Sequence, residues 1–411
     1  MARTPPTKAA HGLVRARLPA LVASAIVALV CLLVSLSALA HPREDFDLMA
    51  YVGVVHAYDG EAGSRERTLG DLRDALTPER YAWMTGRDFP GDYAHWMAYD
   101  DRSFAQQLVW FRGRPLFTRS AWLVSKLGVK VPRALHLVTF LSTLALAAVT
   151  WVALRPRSPD GSVREAVVRS VAFFVVAGVF HFDELAASPL SDPLGAALAL
   201  AGLGLLARDR PRVGLGLMVV AVLARSDAAM YPGLVAALAL AFAARKRPFL
   251  ASPRDALIAA ALAFGARAWV ERGSYGWAAL VHFRRVHFEP FPADARHTLD
   301  ASLYLRILKE NALELYTCEV VALVAFVVVV AGAAASPRVR ALLTADSGAG
   351  GPSPVAALTL AMVPLSVARF FAFPDWHSRF FVVPLGLFFV GLAHVAQGLA
   401  KTEGSRVASS S

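Results

Sequence analysis

Charge is scarce in this chain. Asp, Glu, Lys and Arg make up 18% of its 411 residues, against about 25% in soluble domains. Cysteine is nearly missing: Cys31 and Cys318 stand alone, in no CxxC or metal-like spacing. That excludes a disulfide framework and a thiolate metal site. Asparagine occurs once, at Asn311. Together with the abundant Ala, Arg and Pro, this composition fits a GC-rich bacterial coding sequence. Internal repeats and low-complexity tracts are also lacking. What fills the space is apolar. Hydrophobic residues reach 56% and the mean hydropathy is +0.49. A single buried core stops growing near roughly 250–300 residues and cannot absorb so many. A soluble globular enzyme is excluded, and so is a disordered or fibrous chain.

The apolar residues fall in blocks of about 20, the length that crosses a bilayer. Helix is the expected form, because lipid offers backbone polar groups no other partner. Ten spans are expected, near 19–40, 134–154, 165–182, 189–207, 212–228, 230–245, 255–272, 312–334, 354–373 and 379–399. The Gly/Pro-interrupted stretch 212–245 is the least regular. The first block ends Ala38-Leu39-Ala40, like a signal-peptidase site, but its apolar core exceeds the roughly 7–15 residues of a cleaved signal. It reads as a retained span.

The net charge is +11, and the basic residues gather in short loops. These hold Arg155, Arg157 and Arg164, then Arg208, Arg210 and Arg212, then Arg245, Lys246 and Arg247, then Arg338 and Arg340. With the basic tails 1–18 and 400–411, they alternate as the positive-inside rule requires. Both termini are expected in the cytoplasm of a bacterial inner-membrane protein. The basic excess reports topology and gives no ground for nucleic-acid binding. Two longer segments, 41–133 and 273–311, then lie outside, with spans 134–272 between them and 312–399 after.

Those outer segments should carry helices. One opens near Asp45, a candidate N-cap, and ends near Gly60. Another starts at Thr77-Pro78-Glu79, with Pro in the first turn. Phe104–Leu127 mixes Trp110, Phe111, Phe117 and Trp122 with Arg112, Arg114 and Arg119, which suits one helix in the headgroup layer. A further helix begins at Thr298.

The middles of the spans are almost free of ionisable residues, which argues against proton-coupled transport. Cations collect instead at the outer ends. Arg225, Arg267, Arg272, Arg369 and Arg379 sit there with His377, joined by His282, Arg284, Arg285 and His287 from the second outer segment. Two readings stand. The side chains snorkel and pair with Asp227, Glu271 and Asp375, or they form an anion site, since Arg matches phosphate oxygens bidentately. Candidate donor-phosphate residues are Arg379, Arg225, Arg369, Arg284, Arg285 and His377. Carboxylates of the first outer segment face them: Asp45 and Asp47, with Asp92, Asp100 and Asp101 as secondary or acceptor-side candidates. Such a carboxylate can take a proton from an acceptor hydroxyl. Asp45 and Asp47 also suit a helix start without any chemistry. His181-Phe182-Asp183-Glu184 matches no strong metal motif and reads as a solvated rim. No cofactor is implied and no metal ligand is assigned; dependence on a divalent metal stays open at this point.

Five short motifs lie in order along this topology. They are Asp47-Leu48-Met49-Ala50-Tyr51, Arg114-Pro115-Leu116-Phe117, Ser191-Asp192-Pro193-Leu194, Ala224-Arg225-Ser226-Asp227, and Ser378-Arg379-Phe380-Phe381 with Pro384. The arrangement resembles the GT-C glycosyltransferases, in particular the bacterial branch similar to protein O-mannosyltransferases and lipid A aminoarabinose transferases. The resemblance covers nearly the whole chain and rests on motif order. It implies an all-α polytopic enzyme that moves a sugar from a polyprenyl-phosphate donor to a glycan, lipid or protein acceptor, with inversion. It also implies that Asp47 is the base and that Arg379 meets the carrier phosphate. The chain departs from the family pattern at Phe46, which splits the acidic pair, and at Arg-Pro-Leu-Phe, where the family has His-Pro-Pro-Leu-Tyr. A lipid-linked glycan polymerase or ligase, and a non-catalytic lipid or sugar transporter or envelope-assembly protein, are the competing readings.

Overall fold

The structure is a computed structural model. It describes residues 8–44, 46–87, 92–155, 162–295, 298–313, 317–344, 353–374 and 384–392. Among the described residues the fold is all-helical, with no strand. A long helix α1 (Lys8–Ala40) opens the chain. Six shorter helices follow: α2 (Phe46–Ala57), α3 (Ser64–Ala75), α4 (Pro78–Met84), α5 (Tyr93–Tyr99), α6 (Asp101–Arg112) and α7 (Pro115–Ser125). Then come α8 (Val131–Ala153), α9 (Val163–Val179), α10 (Phe182–Ala187), α11 (Asp192–Leu206), α12 (Pro211–Ala224), α13 (Met230–Ala244) and α14 (Pro253–Val270). A second connecting segment carries α15 (Trp277–Arg285) and α16 (Ala301–Leu313). The chain continues through α17 (Thr317–Ala335), α18 (Pro337–Thr344) and α19 (Pro354–Ala372), and residues 384–392 are again helical.

Four stretches are long and apolar enough to cross a membrane: Leu18–Ala40, Val131–Ala153, Ser226–Ala244 and Pro354–Ala372. Asp192–Leu206, Pro211–Ala224 and Val320–Ala335 are shorter apolar helices. Among the described residues, each stretch where a span was expected carries helix, but only these four are long and apolar enough for a crossing. The last expected span is described only over 384–392.

The boundaries follow local chemistry. Ser162, Ser252 and Ser353 each accept a backbone N–H of the first turn of α9, α14 and α19, the usual N-cap bond. Thr77 does the same for α4. Pro occupies the first turn of α4, α7, α8, α11, α12, α14 and α19, where its missing N–H costs nothing. The helix expected over Phe104–Leu127 is two helices. The break falls at Gly113-Arg114, because Pro115 disfavours α geometry at Arg114 (φ −124°, ψ 53°). The span expected at 212–228 also ends early. Arg225 is extended (φ −149°, ψ 117°), and a 3₁₀ turn, Ser226–Ala229, leads into α13. The helix expected from Thr298 starts at Ala301, with Asp300 accepting from the Leu303 N–H at 2.8 Å.

Two cores form. One lies among α1, α8, α9, α11, α12, α13, α14 and α19 and the 384–392 helix, built from residues such as Leu146, Phe173, Leu200, Met218, Val235 and Phe388. The other joins α2–α7 to the first turns of α8 through Leu48, Tyr51, Leu72, Phe104, Leu108, Phe117 and Leu135. Helix α8 serves both, so the segment after α1 is fixed to the long helices and does not hang from them. Within the first core α11 and α12 touch backbone to backbone. A Cβ on Gly202 would lie 2.6 Å from the Gly214 carbonyl oxygen, and one on Gly214 2.4 Å from that of Gly202. Only glycine fits either position, as in other close crossings of apolar helices.

Candidate functional site

The site is built where α2, α11, the α12–α13 break and α19 meet. Asp47 lies in the first turn of α2, and Tyr51 follows one turn later. Residues four apart share a helix face. Tyr51 is fully buried. Its hydroxyl accepts from Arg114 Nη1 at 2.5 Å, so the first two motifs meet here. Burial pushes the Tyr51 phenol up to about 12, with Arg114 opposing and the charges of Asp47 and Asp192 adding. The charges of both carboxylates thus act on this one hydroxyl. Phe111 and Phe117 pack edge-on against the Tyr51 ring at 5.2 and 5.1 Å and fix its direction.

Asp192 is the first residue of α11 and its side chain is 7% exposed. Its carboxylate accepts from Arg225 Nη1. Arg225 donates again to Asp227, from Nε at 2.9 Å and from Nη2 at 2.7 Å. Extended backbone at Arg225 releases this side chain from the helix direction and turns it across α11. There it lies on Gly195, where an added Cβ would meet its Cγ at 3.1 Å. Arg369, in the last turn of α19 and 8% exposed, donates to Asp227 Oδ2 at 3.3 Å, the oxygen that Arg225 Nη2 also reaches. The result is an alternating row, Asp192–Arg225–Asp227–Arg369, running from α11 to α19. Buried ions need partners on this scale, since desolvating an unpaired one costs several kcal/mol.

Four of the five sequence motifs thus converge. The fifth lies at 378–381, and Arg379 and His377 fall outside the described residues, as does Asp45. Of the other candidates, Arg284 and Arg285 close α15, and Arg285 Nε donates to the Pro374 carbonyl at 3.0 Å, just beyond α19. Arg267 pairs with Glu271 one turn on, at 3.1 Å and partly exposed. The pairing expected for these cations is present at Asp227 and Glu271; Asp375 is outside the described residues.

The secondary acidic candidates are elsewhere. Asp92 accepts from the Tyr93 N–H at the start of α5. Asp100 accepts from the Ser103 N–H at the start of α6. Asp101 is mostly exposed and pairs with Arg65 at 2.7 Å. All three are engaged in helix starts or surface ion pairs. No group of three His, Cys, Asp or Glu with metal-holding geometry occurs among the described residues.

Tyr51, Arg114 and Asp192 stand inside the sequence motifs without a site role expected of them, and Gly195 lies in none of the motifs. A signal for Asp192 was present: an acid placed directly before Pro193, at a helix start, in an apolar chain. The role of Gly195 had no local signal, because it depends on a side chain thirty residues away.

The chain matches no known protein family, no curated protein and no solved structure.

Proposed function

We propose that this chain is an integral membrane glycosyltransferase of the GT-C type. In this reading it moves a sugar from a polyprenyl-phosphate donor to an acceptor hydroxyl on the extracytoplasmic side, with inversion at the anomeric carbon. The observation that carries the reading is the convergence just described. The charges of Asp47 and of Asp192 both bear on Tyr51 of α2, and Asp192 is tied through Arg225 and Asp227 to Arg369.

The roles follow from charge. The acceptor oxygen attacks the anomeric carbon and its proton passes to Asp47. The bond from that carbon to the phosphate oxygen breaks, and the lipid phosphate leaves with one more negative charge. A positioned base contributes about 10²–10⁴-fold. Arg369, with Arg284, Arg285, Arg379 and His377, is assigned to the leaving phosphate, where a preorganised cation acts more strongly than in water. Arg225 is reassigned. Nε, Nη1 and Nη2 each donate to Asp192 or Asp227, so it holds the two aspartates and Arg369 in order. The donor's tail would remain in lipid, which confines it to two dimensions and aids positioning.

The test is transfer by purified full-length protein in nanodiscs, using a panel of polyprenyl-phosphate monosaccharides and one lipid-linked oligosaccharide. Transfer from a monosaccharide carrier, abolished in Asp47→Asn with the fold retained, supports the reading. Full activity in Asp47→Asn removes the assigned base. Transfer from the oligosaccharide alone moves the chain to the polymerase or ligase class. Transport of lipid-linked sugar without transfer replaces the proposal outright.

A further inference from the structure

The last carbonyls of a helix have no partner within it and must find one elsewhere. At the end of α19 three side chains of the second connecting segment supply it. Tyr304 of α16 donates its hydroxyl to the Phe371 carbonyl. Trp277, the first residue of α15, donates Nε1 to the Ala372 carbonyl at 2.5 Å. Arg285, the last residue of α15, donates Nε to the Pro374 carbonyl at 3.0 Å. The Trp277 and Tyr304 rings stand 5.6 Å apart and brace each other. Arg369 lies within one turn of these carbonyls, and its own carbonyl accepts from the Phe373 N–H.

The same segment is fastened at its other side to α5 and α6. Phe283 stacks on Trp110 and meets Tyr93 edge-on, and Phe288 stacks on Tyr93 at 5.0 Å. Gln107 donates to the Glu289 carbonyl at 2.6 Å, and Ser103 to the Pro290 carbonyl at 2.7 Å. Tyr93 in turn meets Phe46, the neighbour of Asp47, at 5.7 Å. Two chains of contacts thus meet at α19. One runs from Asp192 through Arg225 and Asp227 to Arg369. The other returns from α19 through α15 and Tyr93 to Phe46.

We infer that α15 and α16 form a strap whose residues Trp277, Tyr304 and Arg285 position Arg369 by holding the end of α19. Trp277 and Tyr304 are positioning residues only and touch no substrate themselves. The inference rests on the reading of Arg369 as a contact of the donor phosphate, and it adds what sets that contact. A cation at the end of a helix is only as fixed as the helix end. Loss of one carbonyl bond should let Arg369 drift from the phosphate while leaving Asp47 and the acceptor in place.

The experiment uses full-length protein in nanodiscs with the variants Trp277→Phe and Tyr304→Phe, which keep the rings and remove the donors. Leu305→Ala, on the exposed face of α16, is the control. Each strap variant should raise KM for the polyprenyl-phosphate sugar about 3- to 10-fold, the worth of one hydrogen bond. Acceptor KM and kcat should stay within about twofold. Hydrogen exchange at the amides of 371–373 should quicken in both strap variants and not in the control. Equal losses on donor and acceptor would show a merely structural role and overturn the inference. So would unchanged exchange at 371–373. If wild-type protein transfers no sugar from any carrier, the glycosyltransferase reading fails by itself. The exchange measurement then still decides whether the strap holds α19.

Discussion

Asp192 and Arg225, 33 residues apart in sequence, face each other across the paired helices α11 and α12 and are bonded through Asp192 Oδ1 and Arg225 Nη1. The pair is nearly sealed from solvent, with side chains 7% and 15% exposed. Removing either member strands a buried charge.

Arg225→Ala should therefore destabilise the fold by about 3–5 kcal/mol, the cost of leaving a buried partner unpaired. Arg225→Lys should recover only part of this, since an ammonium lacks the flat fork that serves two carboxylates. Thermal unfolding in detergent, compared with the wild type, measures both. An Arg225→Ala variant with unchanged melting would show that the row contributes nothing to stability.

The crossing of α11 and α12 predicts a sharp position dependence. Gly202→Val must displace a backbone carbonyl that an added Cβ would approach at 2.6 Å. Overpacking of this kind costs about 1–3 kcal/mol or more. Gly204→Ala, two residues on, meets nothing within 4 Å and should be neutral or slightly stabilising by helix propensity. Equal unfolding temperatures for the two variants would rule out the tight crossing.

His56 gives a pH signature. Its ring lies 3.0 Å from Asp71 and is largely buried. Burial lowers its pKa below the ordinary 6.5, outweighing the attraction of Asp71. The unfolded chain then binds a proton that the folded chain resists. Stability is full above pH 6.5 and falls as pH drops from there through the folded pKa. His56→Gln should flatten the curve of unfolding temperature between about pH 7 and pH 5. A slope that survives the substitution would assign the effect to another group.

Arg369→Ala should weaken use of the lipid-phosphate donor more than use of the acceptor. The loss expected for one charge-assisted contact is about 10- to 100-fold in kcat/KM for the donor. Steady-state kinetics with each substrate varied in turn distinguishes the two. Equal losses count against a phosphate role for this residue.

Much of this architecture was legible in the sequence, for physical reasons that differ by element. The long apolar blocks announced α1, α8 and α19, because lipid and a packed core both demand helix there. Thr77-Pro78 marked the start of α4, because an N-cap oxygen and a proline in the first turn act within a few residues. The break at Gly113-Arg114 was equally local, yet an aromatic and arginine pattern running through it suggested one helix. The end of α12 at Arg225 could not be read locally. A helical residue was expected there, and the backbone leaves the helix so that one guanidinium can serve Asp192 and Asp227. For the candidate site, motif order along the chain brought forward Asp47 and Arg225, and the gathering of cations at the outer ends of the spans brought forward Arg369. It did not show that Asp192 and Asp227 share Arg225, since partner choice depends on which helices pack together. Asp92 and Asp100 were attractive as acids and proved to be helix caps, a role their position just before α5 and α6 permits.

Where Gly202 and Gly214 press main chain on main chain, the two helices lose the play that side chains would allow. They tilt or shift together or not at all. Asp192, at the first residue of one, and Arg225, at the cap of the other, are then carried like marks on a single rod, and their spacing survives any breathing of the surrounding bilayer. A larger residue at the contact would turn that rod into a hinge, and the first thing to slacken would be an ion pair ten residues or more away.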